Sequence, residues 1–191
     1  MTDKAGKIEV RWHGRGGQGG VTSAELLAQA AISEGKYAQA FPSFGPERRG
    51  APVLAFDRIN DDEPVRNRAG ITEPDVVIVL DPSLLSFVDV TSGLKEGGLI
   101  IVNTRKTAKE IRSESGIKAR LATVNATKIA REQLGVPIVN TTMLGALIKA
   151  TEVVKLGSVN EPLDHRFGRL AERNVKAMEA AYSETVIEER Q

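Results

Sequence analysis

Cysteine is absent from the 191 residues. That excludes disulfides, thiolate metal sites, cysteine nucleophiles and cysteine-ligated iron–sulfur clusters on this chain. Histidine is scarce as well: His13 and His165 are the only two, too few for a histidine-rich metal site. An excess of one charge is also missing, since 26 Lys and Arg against 25 Asp and Glu leave a net charge of +1. Nucleic-acid or membrane binding driven by bulk charge is therefore not expected. No apolar run approaches the roughly 20 residues that span a bilayer. The opening MTDKAGKIEV has no apolar signal core, so a soluble, cytoplasmic protein is the expectation.

What is present suits an ordinary folded domain. Hydrophobic residues make up 41% and charged residues 27% of the chain, enough for a normal core and a solvated surface. One domain over residues 1–191 is expected from this length. Apolar residues alternate over 7–13, with Ile8, Val10 and Trp12 on one face, which predicts a strand. Residues 21–34 carry Leu26, Leu27, Ala30 and Ala31 at helical spacing, with Thr22 or Ser23 as a cap. Two further strands are expected at 36–41 and 51–59; no helix separates them, so they read as a long-looped hairpin at a sheet edge. The run DVVIVL at 75–80 is continuous and β-branched, as a parallel strand buried on both faces requires. Strands at 99–102 and 119–124 follow, then helices at 126–134 and 142–154 and a helical tail over about 163–189. Together these predict an α/β fold: an open, mostly parallel, Rossmann-like sheet with helices on both faces.

Five glycines fall within seven residues, at Gly14, Gly16, Gly17, Gly19 and Gly20, between the first strand and the first helix. Gly14-Arg15-Gly16-Gly17-Gln18-Gly19 satisfies G-x-G-x-x-G in the strand–turn–helix setting that a dinucleotide fingerprint demands. The acid expected about 20 residues later, to hold a ribose hydroxyl, does not follow: the next strand reads KYAQAF. Three readings stand at this point: a dinucleotide turn, a cradle for another anion at a helix N-terminus, or a tight connection.

The second notable stretch, FPSFGPERRGAPV, puts Glu47, Arg48 and Arg49 in a proline- and glycine-shaped loop. Arginines there suit a phosphate or carboxylate, or serve only as solvated charge. Asp81, before Pro82, is either a ligand acceptor or a helix cap. His13 is either an acid–base group or structural. Gly145, inside an apolar helix, is read first as core packing, and otherwise as a close approach to the glycine loop or a partner. No catalytic triad, carboxylate cluster or metal-ligand set is visible, so neither a catalytic residue nor a metal ligand is assigned to this chain.

Taken together, RWHGRGGQGGVTSAELLAQA, GKYAQAFPSFGPERRGAPVLAFDRI, PDVVIVLDPSLL and NTTMLGAL resemble the gamma subunit of the 2-oxoacid:ferredoxin oxidoreductases, the pyruvate member (pyruvate synthase) above all. The resemblance runs from about Ile8 to the helix beginning near Met143. It implies a subunit of an enzyme that decarboxylates pyruvate oxidatively with coenzyme A and ferredoxin, yielding acetyl-CoA. It implies alpha, beta and delta partners holding thiamine diphosphate, Mg and iron–sulfur clusters, with ferredoxin reached through the complex. This chain, which lacks cysteine and a GDG…N diphosphate motif, is then inactive alone. The resemblance further implies that Gly14, Arg15, Gly16, Gly17, Gln18 and Gly19, with Glu47, Arg48 and Arg49, line a cleft where coenzyme A enters. The alternatives are the same role with 2-oxoglutarate or another 2-oxoacid, a stand-alone dinucleotide-binding protein, and a pure assembly module.

Overall fold

The computed structural model describes residues 6–43 and 51–190. Among them seven strands form one sheet: β1 (Lys7–Arg15), β2 (Tyr37–Pro42), β3 (Pro52–Asn60), β4 (Val76–Val79), β5 (Leu99–Asn103), β6 (Arg120–Val124) and β7 (Val186–Glu188). Six helices accompany them: α1 (Gly20–Ser33), α2 (Ala108–Ser115), α3 (Ala126–Leu134), α4 (Asn140–Thr151), α5 (Asn160–Phe167) and α6 (Ala171–Glu184). The sheet order is β2-β3-β1-β4-β5-β6-β7. β1, β4, β5 and β6 run parallel. β3 is antiparallel to both β1 and β2, and β7 is antiparallel to β6. The expected mostly parallel sheet is found, with β2 and β3 as its edge hairpin.

The central strands are apolar because both of their faces are covered. Val76 and Ile78 point into one core with Leu99, Ile101, Ala122 and Val124. Val77 and Val79 point into the other with Ile100, Val102 and Leu121. The first core is thick, roofed by α1, α3, α4, α5 and α6. The second is thin, closed by α2 and a 3-10 turn at Pro82–Ser86. α4 lies inside the thick layer, with every residue from Asn140 to Ile148 buried. Such a helix must be apolar or small all round. Gly145 belongs to this requirement: a Cβ there would sit 2.0 Å from the Met178 carbonyl oxygen of α6. Gly145 thus serves the α4–α6 crossing rather than the glycine loop.

Three expectations need correction. α1 is not capped by Thr22 or Ser23; its cap position is Gly19, and Ser23 instead bonds back to the Gly19 carbonyl. The tail is not one helical segment over 163–189. Gly168, with φ of +50°, separates α5 from α6, and Val186–Glu188 leaves the helix to pair with β6. α2 was not foreseen, although Thr107 and Glu110 form a full capping box at its start.

Candidate functional site

The sheet changes direction of growth at β1. From β1 the chain crosses by α1 to the β2 edge, and it later returns to build β4, β5 and β6 on the other side of β1. In open α/β sheets ligands bind outside the carboxyl ends of strands at such a point. The glycine loop leaves β1 there, and Asp81 and Pro82 leave β4 beside it.

The loop is held by its own residues. The Gly16 N–H donates to the Ala51 carbonyl at 3.1 Å, and the Arg15 N–H to Gln18 Oε1 at 2.7 Å. Gln18 N–H returns to the Arg15 carbonyl at 3.0 Å. The Arg15 guanidinium donates to Asp81 Oδ2 at 2.9 Å and to Ser83 Oγ at 2.9 Å. Asp81 also accepts from the Ser83 N–H at 3.0 Å, so it caps the 3-10 turn and anchors Arg15 at once. Partial burial pushes its carboxyl up, but the Ser83 hydroxyl and N–H with Arg15 outweigh this and hold it below the usual range.

Two helix N-termini converge on this loop. Gly19 precedes α1 with φ of +79°, and a Cβ there would lie 2.7 Å from Asn140 Nδ2 at the start of α4. Only glycine combines that backbone with that contact at low cost. Neither α1 nor α4 has a side-chain cap. By contrast, the 3-10 turn, α2 and α3 on the same edge are capped by Asp81, Thr107 and Asn125. The Thr141 N–H of α4 donates to the Asn140 Oδ1 at 2.8 Å, so the first-turn donors on this edge left free by side chains are those of α1 and the remaining N–H groups of α4. Uncapped N–H groups and two helix dipoles favour an anion.

His13, at the base of the loop, is buried and accepts a hydrogen bond at Nε2 from Arg11 Nε at 3.0 Å. Burial, and then the Arg11 charge, push its pKa down to about 4. It is a neutral acceptor that holds Arg11, whose other bonds go to the carbonyls of Val90 and Ser92 at 3.1 and 2.7 Å. The structural role, not acid–base work, fits this setting. On the opposite face of β1, Trp12 Nε1–H donates to Asp57 Oδ2 at 2.6 Å.

Of the residues singled out in the sequence, Gly14 to Gly19 and Asp81 come together at this edge. Glu47, Arg48 and Arg49 lie outside the described residues. Among the described residues no group of three His, Cys, Asp or Glu side chains is placed to hold a metal. No helix among them is long and apolar enough to cross a membrane. The dinucleotide reading meets a topological obstacle. In that fold the strand after the first helix lies beside the first strand, where its terminal acid reaches the ribose. Here β3 intervenes, and β2 ends at Pro42. Sequence reasoning passed over Ser83, Asn103 and the contact made by Asn140. A partial signal was available: Val-Asn stands at 102–103 and 124–125, at the ends of β5 and β6, and again at 139–140 and 159–160, at the starts of α4 and α5.

Comparison with known proteins agrees. Residues 9–184 match the family described as pyruvate ferredoxin/flavodoxin oxidoreductase. The chain is 59% identical over 184 residues to the pyruvate/ketoisovalerate oxidoreductases common subunit gamma of Thermococcus litoralis, covering 95% of this chain and 99% of that one. It is 52% identical over 176 residues to pyruvate synthase subunit PorC of Methanothermobacter marburgensis, covering 92% and 96% of the two chains. The crystal structure of pyruvate oxidoreductase subunit PORC from Thermotoga maritima superposes with a TM-score of 0.87 at 38% identity, over 97% of this chain and 100% of that one. With near-complete coverage in sequence and in fold, the chain belongs to the pyruvate ferredoxin/flavodoxin oxidoreductase family, as a gamma-type subunit.

Proposed function

We propose that this chain works in the cytoplasm as the gamma subunit of a pyruvate:ferredoxin oxidoreductase, beside alpha, beta and delta subunits that carry thiamine diphosphate, Mg and the iron–sulfur clusters. The complex converts pyruvate, coenzyme A and oxidised ferredoxin to acetyl-CoA, carbon dioxide and reduced ferredoxin. The chain itself supplies no catalytic residue. Its glycine loop faces the cleft shared with the other subunits and admits coenzyme A, whose diphosphate meets the N–H groups of α1 and α4. Gly14, Arg15, Gly16, Gly17, Gln18 and Gly19 form that surface, and Glu47, Arg48 and Arg49 extend it.

The observation that carries this reading is the meeting of two helix N-termini at Gly19 and Asn140, that of α1 with no side-chain cap and that of α4 with only the Thr141 N–H held, by Asn140 Oδ1. A bound anion there gains the donors that water otherwise takes. The name of the Thermococcus relative, a subunit common to pyruvate and ketoisovalerate oxidoreductases, supports a task indifferent to the 2-oxoacid. Coenzyme A is the reactant such enzymes would share.

The purified chain alone is expected to give no pyruvate-dependent dye reduction, and mixing it with the other three subunits to restore it. In the reconstituted complex, Gly19→Ala should raise the KM for coenzyme A several-fold without preventing assembly. Arg48→Ala with Arg49→Ala should act in the same direction. Activity from the chain alone would overturn the subunit role. An unchanged KM for coenzyme A in an assembled complex would leave the loop as a packing surface only.

A further inference from the structure

The two edges of the sheet are built differently. β7 is three residues long, contains Glu188 and is followed by Glu189 and Arg190, the short, charged kind of edge that discourages pairing. β2 has six residues and no charge. The ammonium of Lys36, just before it, is already taken by the Val153 carbonyl at 2.7 Å and by Asp61 at 3.0 Å. Among the described residues nothing pairs with the outer side of β2. The Ser43 N–H donates to the Leu54 carbonyl at 2.9 Å, which sets the alternation of the antiparallel β2–β3 ladder. Tyr37, Gln39 and Phe41 therefore turn their backbone groups to β3, and Ala38 and Ala40 turn theirs outward. The side chains alternate as well. Ala38 and Ala40 pack on the thick core, so Tyr37, Gln39 and Phe41 lie on the other face, where Phe41 meets the Phe56 ring and the Arg58 guanidinium. Gln39 Oε1 is buried with no hydrogen-bond partner among the described residues.

These features are self-complementary. In an antiparallel pair of two β2 strands with the two-fold axis at Gln39, each Ala38 exchanges both backbone bonds with Ala40 of the other copy. Each Tyr37 ring, 43% exposed in the single chain, then faces Phe41 of the other copy, an aromatic cross-strand pair. The two Gln39 side chains meet at the axis, where each amide offers the other Oε1 the donor it lacks. No charge of either strand loses its water. We infer that β2 is a docking edge for a second copy of this chain, so that one sheet runs through both. A second copy suits this edge better than an unlike strand because the contact is isologous and closes: it uses both unguarded edges and leaves only the two β7 edges outside. No group of the glycine loop takes part, so the inference is independent of the coenzyme A reading.

The test uses the full purified chain. By sedimentation the parent should be a dimer at tens of micromolar. Gln39→Glu keeps an opposite charge, Arg58, facing it across the β2–β3 ladder, but sets two like charges against each other at the axis. It should weaken dimerisation about tenfold or more and leave the circular dichroism melt of the chain unchanged. Ala40→Pro removes an outward N–H that β3 does not use, and should also give monomer. Because the chain has no cysteine, Gln39→Cys introduces a single thiol. Directly opposed residues of a non-hydrogen-bonded pair have Cα atoms about 4.5 Å apart, within disulfide reach, so mild oxidation should cross-link the two copies. Val186→Cys, on the exposed β7 edge, is the control and should not cross-link. A monomeric parent, a dimer untouched by Gln39→Glu and Ala40→Pro, or cross-linking no faster in Gln39→Cys than in Val186→Cys overturns the inference. Loss of the Gln39→Cys cross-link once alpha, beta and delta subunits are added overturns it too, and gives the edge to one of them instead.

Discussion

Asp57 has no access to water, accepts one hydrogen bond from Trp12 and has no partner for Oδ1. Burial raises its pKa well above the ordinary carboxylate value, and the Trp12 bond only partly opposes this. Above pH 4 the unfolded chain releases this proton while the folded chain keeps it, so Asp57 lowers stability as pH rises toward its folded pKa. Asp57→Asn keeps the acceptor and removes the proton. Its thermal midpoint, followed by circular dichroism, should therefore fall less than that of the parent as pH rises from about 4, where the unfolded carboxyl ionises. Asp57→Leu strands the indole N–H and should cost about 1–3 kcal/mol. His13 acts with the opposite sign. Its folded pKa of about 4 lies below the unfolded 6.5, so stability is complete above 6.5 and is lost as pH falls toward 4. The full effect is about 3 kcal/mol. His13→Gln should flatten that acid limb, and the His13 ring proton resonance should stay neutral-like through pH 5. Neither environment was legible from the residues alone. Alternation in residues 7–13 showed which side chains of β1 share a face, but not that Asp57, paired with Val10 across the β1–β3 ladder, reaches Trp12 on the diagonal.

At the scale of elements, the crossing of α4 with α6 has the least slack. Thr141 Oγ1 donates to Asn174 Oδ1 at 2.8 Å, and one turn later Gly145 lies against the Met178 carbonyl. Gly145→Ala would gain helix propensity, about 1 kcal/mol at an open site. Here the methyl meets backbone, which cannot rotate away, so a net loss of about 1–3 kcal/mol is expected in the urea midpoint. A gain would show that the two helices part freely. Which elements the residues foretold follows from how local their causes are. DVVIVL announced β4 because burial on both faces leaves no polar position. The β2–β3 hairpin was legible from two strand patterns with no helix between them. β7 was not, because Val186 and Ile187 are extended by the free edge of β6, a partner far away in the chain. α2 is only eight residues and mostly polar, so periodicity missed it although its capping box was in plain sight.

For the whole molecule, the pH profile combines these opposed groups. Burial pushes the Glu9 carboxyl up, but Arg58 and Lys7 outweigh it; Thr91 holds Asp89 down, and Ser83 with Arg15 holds Asp81 down. Their stabilisation is present above the unfolded carboxylate range and is lost as pH falls through their folded values. With His13 they should give a steep acid limb, while Asp57 gives a shallower decline on the alkaline side. A midpoint that rose steadily from pH 5 to pH 9 would contradict this balance. The candidate site shows the same division between local and distant causes. The glycine spacing located the loop at the end of β1, yet its contact with Asn140 joins parts of the chain that only the finished fold brings together.

Trp12 is the only tryptophan in the chain, fully buried and two residues before Gly14. Its emission therefore comes from a single environment, on the strand that carries the loop. A ligand settling on Gly14 to Gly19, or another subunit closing over them, has an optical reporter built in, with no label attached and no second indole to obscure it. Partner subunits prepared without tryptophan would keep that signal clean during assembly.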